Sequence, residues 1–168
     1  LGDVYKRQGL LLTKDLGINL TLASISKFVR GLQIDRRKER TALDDAIKEF
    51  DIRTGRKDIL AGQLSGGNQQ KLLLAKMMML NPSIVIIDEP TRGIDVGTKE
   101  QIYQFIANLA DEGKSIIVVS SEMPELIGVC DRIVVMREGR VAGEVTGERM
   151  TENDIVVLAT GVSTEEAA

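Results

Sequence analysis

Two stretches decide the fold: Leu64-Ser65-Gly66-Gly67-Asn68-Gln69-Gln70 and Ile84-Val85-Ile86-Ile87-Asp88-Glu89-Pro90. In the first, a Ser-Gly-Gly turn precedes a helical pattern, so a hydroxyl and unpaired N–H groups lie where a helix dipole adds about half a positive charge. In the second, an apolar strand ends in two adjacent carboxylates, which suit a magnesium ion and an attacking water. Together they indicate chemistry on a nucleoside triphosphate.

Each stretch also has an ordinary structural interpretation. Ser and Gly commonly cap helices, so Ser65-Gly66-Gly67 alone is explained by a capping loop. Asp88-Glu89-Pro90 alone is explained by a buried strand that leaves the core through a polar turn. Their order, with a short and almost wholly apolar helix between them, is that of ABC-type ATPases. The chain resembles that family.

The resemblance extends beyond these two stretches. Asp88-Glu89-Pro90 continues into Thr91-Arg92-Gly93-Ile94-Asp95-Val96-Gly97, and a later aliphatic strand precedes Ser120-Ser121-Glu122-Met123-Pro124-Glu125. This order resembles the second, C-terminal ATPase half of double-headed proteins that energise bacterial import of ribose, galactose, xylose and related monosaccharides. It covers residues 9–161. Because the chain begins at Leu1, we expect a fragment cut at its N-terminus.

The composition is typical of a cytosolic globular domain. The 168 residues are 43% hydrophobic and 28% charged, which is enough to bury one core with a smaller attached lobe. The single cysteine, Cys130, excludes an internal disulfide and favours a reducing compartment. A net charge of −3 and an aromatic content of 3% disfavour a nucleic-acid-binding face.

The predicted organisation divides the chain at about Gln63. Residues 1–63 are expected to hold a residual N-terminal segment and a small helical subdomain, in which Asn19 caps a first helix that runs to about Phe28. A second helix there shows apolar residues at helical spacing on one face: Leu43, Ala46, Ile47 and Phe50. Residues 64–168 are expected to hold the signature helix and the C-terminal α/β part of one ATPase domain.

Strands and helices alternate after the signature helix. Strands are predicted at residues 84–88, 115–120 and 132–136, the last of which begins a closing hairpin. A long helix between the first two carries a core stripe and ends at Gly113; the stripe is Ile102, Phe105, Ile106 and Leu109. Alternation predicts a parallel sheet with crossover helices. The fold class is therefore α/β, by resemblance a P-loop NTPase-like ABC ATPase without its N-terminal phosphate-loop part.

The phosphate-binding loop that this chemistry requires, G-x-x-x-x-G-K-[ST], is missing from the sequence. The stretch from Gly93 to Lys99 is only superficially similar, because its glycines are one residue too close and Lys99 follows Thr98. In the resembling family the loop lies upstream, on the first strand-helix unit. We therefore expect the isolated chain to bind ATP poorly and to be inactive by itself.

The resemblance implies a role for each motif residue. Asp88 matches the residue that holds Mg²⁺, usually through water, and Glu89 matches the general base that orients the attacking water. Asp95 matches a contact across the dimer of ATPase domains. The signature contacts the γ-phosphate of ATP that the opposing domain binds. The residues implied in nucleotide binding are Ser65, Gly66, Gly67, Asn68, Gln69, Asp95 and Ser121.

The sequence contains no histidine, whereas the general ABC pattern places one against the γ-phosphate. Its position, just after the strand Ile116-Ile117-Val118-Val119-Ser120, is taken by Ser121. A serine donates one hydrogen bond but cannot become cationic, so it stabilises transition-state charge less. We therefore expect that Glu89 lies in a handicapped site and that this half mainly completes the site of its partner.

Three functions remain open at this point. The preferred one is an ATP-hydrolysing subunit of a monosaccharide importer, peripheral on the cytoplasmic face of the inner membrane. Its partners would be another ABC ATPase domain, membrane permease subunits and, indirectly, a periplasmic sugar-binding protein, with no nucleic acid. The second is a soluble ABC ATPase of DNA repair or chromosome organisation, which the lack of a long heptad coiled coil disfavours. The third is a catalytically silent nucleotide-binding module, which Glu89 opposes.

Overall fold

The computed structural model describes residues 9–31 and 33–161, and these residues divide into two units. The first unit holds the described residues through Val85 together with Thr91–Gln104. The second holds Ile86–Pro90 together with the described residues from Phe105 onward. The predicted domain division at Gln63 stays a prediction.

The described part of the first unit that precedes the strand beginning at Ile84 is mainly helical. Two short strands, which the sequence did not predict, form an antiparallel pair within it. In chain order its elements are α1 (Leu16–Thr21), a 3₁₀ helix (Leu22–Phe28), β1 (Val29–Arg30), β2 (Gln33–Ile34), α2 (Arg36–Glu49), a 3₁₀ helix (Ala61–Gln63) and α3 (Gly66–Met78).

Asp15 and Asp35, and not Asn19, cap α1 and α2. The Asp15 carboxylate caps α1 by accepting a hydrogen bond of 2.8 Å from the Ile18 N–H. Asn19 lies buried inside α1, where its side-chain amide binds the backbone of Leu11 through both its oxygen, at 2.7 Å, and its nitrogen, at 3.0 Å. The predicted cap is therefore wrong. The predicted helix to Phe28 is also interrupted, because Ser24 has non-helical backbone angles.

The apolar face of α2 packs into the core of the first unit, as its spacing predicts. Leu43 and Ala46 are buried, and Ile47 and Phe50 pack against them while remaining partly exposed. Full burial of a leucine-sized side chain such as Leu43 contributes about 1.5–3 kcal/mol, and burial of an alanine contributes less. The other buried residues of this core are Leu10, Leu16, Leu20, Ile52, Ala61, Leu64, Leu72 and Ala75.

The second unit has the predicted alternation of strands and helices. Two strands, β3 and β4, are hydrogen-bonded neighbours, and the helix that connects them makes a parallel crossover. A second pair, β5 and β6, is an antiparallel hairpin. The elements from residue 84 onward are β3 (Ile84–Asp88), α4 (Val96–Asp111), β4 (Ser115–Val119), α5 (Met123–Val129), β5 (Arg132–Arg137), β6 (Arg140–Thr146), a 3₁₀ helix (Gly147–Arg149) and α6 (Glu152–Thr160).

The end of α4 and three of the four residues of its core stripe are also confirmed, while Phe105 is half-buried. Ile102, Ile106 and Leu109 are buried. Gly113 ends the helix with φ 82°, and its N–H donates to the carbonyl of Ala110 at 2.8 Å. That positive φ is the left-handed conformation in which glycine commonly terminates helices.

The β5–β6 hairpin supplies a small core of its own. Ile133 and Val135 of β5 pack with Val145 of β6 and Ile155 of α6. The strands are joined by Glu138 and Gly139, whose φ angles are 51° and 76°. Two positive φ values in a two-residue loop are those of a type I′ turn, which matches the twist of a hairpin.

Candidate functional site

The signature turn is an exposed cap at the start of α3. Ser65 has an extended backbone, and its hydroxyl accepts hydrogen bonds from the N–H of Asn68 at 3.4 Å and from the Asn68 side-chain amide at 2.8 Å. Gly66 and Gly67 form the first turn of the helix, where N–H groups have no acceptor within the helix. This turn is suited to binding an anion.

Asn68 and Gln69 use their side chains to shape this turn. The Asn68 carbonyl oxygen accepts the N–H of Arg53 at 2.7 Å, and the Gln69 amide donates to the carbonyl of Leu64 at 2.9 Å. The Gln69 amide therefore binds the backbone next to Ser65, and the Asn68 amide links the Ser65 hydroxyl to the backbone of Arg53. Their predicted contacts with a nucleotide stay predictions.

The structure places the N-terminus of α4 next to Gly67. A Cβ atom on Gly67 would lie 2.9 Å from Cγ2 of Thr98, so only glycine fits without displacement. Thr98 is held in turn by Asp95, which accepts its N–H at 3.1 Å and its hydroxyl at 2.9 Å. The hydroxyl and N–H of Thr98 lower the pKa of Asp95. Gly67 and Asp95, predicted separately, are thus joined through Thr98.

A buried lysine supports the same arrangement. The Lys71 side chain is 7% exposed, and its ammonium donates to the carbonyl of Asp51 at 2.8 Å and to the Asp51 carboxylate at 3.3 Å. Gln101 of α4 donates to the same carboxylate at 3.2 Å. The hydrogen bond and charge of Lys71 hold the pKa of Asp51 below its usual value. The sequence motifs did not identify Lys71, Asp51 and Gln101 as partners.

In the second unit, Glu89 has an unusual backbone conformation. Its φ is 48°, which costs a residue with a Cβ atom about 1–2 kcal/mol. Two hydrogen bonds hold it: its N–H donates to the carbonyl of Val119 at 2.7 Å, and its Oε1 accepts the N–H of Ser121 at 3.1 Å. Backbone strain of this kind is concentrated at functional sites. Asp88, one residue earlier, is exposed at the end of β3.

The loop after β4 carries a polar network. The Ser120 hydroxyl donates to the carboxylate of Glu125 and accepts the N–H of Glu122 at 3.0 Å. Glu125, on α5, is 3% exposed. Ser121 is exposed, and its backbone N–H, not its hydroxyl, contacts Glu89. The predicted role of the Ser121 hydroxyl toward phosphate stays a prediction.

Asp88 and Glu89 offer the oxygen donors that magnesium prefers. Among the described residues there is no group of three or more histidines, cysteines, aspartates or glutamates that could hold a metal ion. Mg²⁺ usually keeps several waters and takes one or two carboxylates together with substrate phosphates. A single aspartate at the end of β3 fits that kind of site.

No helix in residues 9–31 and 33–161 is sufficiently long and apolar to cross a membrane.

Comparison with known proteins decides the family. The model of the ABC transporter family matches residues 6–92. The chain belongs to this family. It is 45% identical over 163 residues to the ribose import ATP-binding protein RbsA 2 of Escherichia coli O157:H7. That alignment covers 97% of this chain and 32% of the relative. It is 42% identical over 164 residues to the ribose import ATP-binding protein RbsA of Clostridium perfringens (strain SM101 / Type A), covering 97% and 33%. The ABC transporter chain thus spans about a third of these curated relatives.

Solved structures confirm the predicted ABC ATPase fold. A dimeric ATP-binding cassette in a post-hydrolysis state, bound to ADP and Pi, is 25% identical with a TM-score of 0.69, over 82% of this chain and 58% of that one. A dimeric bacterial ABC transporter cassette is 27% identical with the same TM-score of 0.69, over 83% and 60%. The predicted α/β class is therefore correct for this ABC transporter chain.

Proposed function

We propose that the chain is part of the ATP-hydrolysing subunit of a monosaccharide importer, and that its signature turn completes the ATP site of a partner ATPase domain. The observation that carries this proposal is the exposed Ser65 cap, which presents the N-terminus of α3 to an anion. Similarity to proteins named for ribose import, at 45% identity over 97% of the chain, supports the sugar class.

The signature acts on the γ-phosphate of ATP held by the partner domain. Gly66 and Gly67 supply backbone N–H groups, and Ser65 supplies a hydroxyl that can donate to a phosphate oxygen while still accepting from Asn68. Gly67 must lack a side chain because of Thr98, and Asp95 holds Thr98 beside it. Asp95 also faces the partner domain in this proposal.

The carboxylates at the end of β3 act on ATP bound to the domain that contains them. Asp88 would hold magnesium through water, and the ion would neutralise phosphate charge. Glu89 orients the attacking water through one carboxylate oxygen while Ser121 holds the other by its N–H. Because Ser121 stands where the family pattern has a histidine, this half hydrolyses ATP more slowly than its partner.

The subunit is peripheral on the cytoplasmic face of the inner membrane. Membrane permease subunits bind it directly, a periplasmic sugar-binding protein acts with it indirectly, and no nucleic acid takes part. The missing histidine favours one second candidate, a catalytically silent nucleotide-binding module. Under that alternative, Glu89 has no catalytic role at all.

Substitutions in the full-length protein test the division of labour. Ser65→Arg fills the anion site and is expected to abolish transport-linked ATP hydrolysis, while Glu89→Gln costs much less. Loss of one transition-state donor costs ~3 kcal/mol, or about 10²- to 10³-fold, so the contrast is measurable. Ser65→Ala leaves the site open but loses both the helix cap, worth ~1 kcal/mol of stability, and the hydroxyl donor, so its rate is expected to lie between those of the wild type and Ser65→Arg.

The outcomes separate the alternatives. Equal losses from Ser65→Arg and Glu89→Gln would contradict the proposed asymmetry. Full hydrolysis in Ser65→Arg would exclude a role for the signature in the partner's site. No effect of Glu89→Gln on the rate of either half would favour the silent module.

A further inference from the structure

Glu125 is a buried carboxylate without a role in the function proposed above. It is 3% exposed, and burial of a carboxylate is costly unless hydrogen bonds compensate. One such bond comes from the hydroxyl of Ser120, which lies just after β4. A leucine would fill such a buried position on α5 without this cost. The carboxylate is therefore expected to serve a specific contact.

Ser120 links the Glu125 carboxylate to the backbone of the loop after β4. Because its hydroxyl proton goes to Glu125, an oxygen lone pair is directed to the N–H of Glu122, at 3.0 Å. Without Glu125, the hydroxyl could rotate and give its proton to any nearby acceptor. The two bonds fix residues 120–122 relative to α5.

The fixed loop holds Glu89 at two points. The carbonyl of Val119 accepts the Glu89 N–H at 2.7 Å, and the N–H of Ser121 donates to Glu89 Oε1 at 3.1 Å. These two groups flank Ser120 in the chain. Displacement of Ser120 would therefore move both the backbone and the carboxylate contacts of Glu89.

We propose that Ser120 and Glu125 are positioning residues for Glu89, which set the orientation of its carboxylate through the N–H of Ser121. This inference rests on the proposed function only for the consequence that hydrolysis depends on it. The contact itself is independent of catalysis. Ser120, Ser121 and Glu125 thus act together to position Glu89.

Hydrogen exchange of the full-length protein, measured by mass spectrometry on peptides that cover residues 119–126, tests the contact directly. Glu125→Leu and Ser120→Ala are expected to accelerate exchange of the Ser121 and Glu122 amides about tenfold, the effect of losing one hydrogen bond. Glu125→Gln and Ser120→Thr keep the acceptor and the hydroxyl, so exchange is expected to stay within about twofold. Peptides from α2 serve as the control for global unfolding.

ATP hydrolysis then tests the catalytic consequence. Glu125→Leu is expected to lower kcat by no more than Glu89→Gln does, with KM unchanged, and to have no further effect in a Glu89→Gln background. Equal loss in both backgrounds would mean a general structural role and overturn the proposal. Unchanged exchange at Ser121 in Glu125→Leu would also overturn it. An inactive wild-type protein would instead refute the proposed function, and the exchange data would still decide the contact.

Discussion

Gly67→Ala is expected to destabilise the protein although alanine is the better helix former. The new Cβ would lie 2.9 Å from Cγ2 and 3.2 Å from Oγ1 of Thr98. Thr98 cannot rotate away without breaking its hydrogen bond of 2.9 Å to Asp95. Overpacking of this kind costs ~1–3 kcal/mol, and replacement of a helical glycine returns ~1 kcal/mol. The expected net loss is about 1 kcal/mol.

The same substitution should change sign once the obstacle is removed. Thr98→Ala removes Cγ2 and Oγ1 and leaves the Thr98 Cβ 3.4 Å from the new methyl group, which is ordinary contact. Gly67→Ala in that background is expected to stabilise the protein by about 0.5–1 kcal/mol, through helix propensity alone. The difference between the two backgrounds, about 2 kcal/mol, is the coupling energy between the two positions.

Urea unfolding of the wild type, the two single variants and the double variant measures this coupling. Gly128→Ala on α5 is the matched control, since its Cβ would meet open space, and it should stabilise by about 0.5–1 kcal/mol. If Gly67→Ala costs the same with threonine and with alanine at position 98, steric conflict is not the reason for glycine in the signature.

Two further predictions concern stability. Glu138→Asn should raise the free energy of unfolding by about 0.5–1 kcal/mol in urea, because Asn-Gly suits a type I′ turn better than the Glu-Gly present, and Glu138→Val should lower it. The pKa of Asp51 is lowered from 3.8 in the folded state, so its pairing with Lys71 stabilises the protein above pH 3.8 and is lost as the pH falls through the lower folded value. The melting temperature should therefore fall less between pH 5 and pH 2 in Asp51→Asn than in the wild type. Identical falls in the two proteins would contradict the pairing.

Local periodic patterns predicted the elements of this fold well. The spacing of Leu43 and Ala46 identified the buried face of α2, and Gly113 identified the end of α4. These features depend on residues within one or two helical turns of each other. The assignment of Asn19 as a cap was wrong because Asp15, four residues earlier, accepts the N–H at the start of the helix. The side chain of Asn19 is instead hydrogen-bonded to the backbone of the preceding loop.

Contacts between distant residues were beyond the sequence. Lys71 was recognisable as a cation in an apolar helix, but its partner Asp51 is set by where α2 ends and the chain turns back. Ser121 was predicted for its hydroxyl, whereas its contact with Glu89 uses the backbone and depends on how β3 and β4 align. Motif identity gave the candidate residues, and the geometry of two neighbouring strand ends gave their contacts.

The positive φ of Glu89 means that the residue best for stability differs from the residue best for chemistry at this position. Glycine adopts φ 48° freely, so selection for folding alone would favour glycine there. Under the catalytic role proposed for Glu89, selection for hydrolysis would favour the carboxylate despite the backbone cost. A library randomised at position 89 would therefore be enriched in glycine under selection for soluble protein, and in glutamate under selection for ATP hydrolysis by this half.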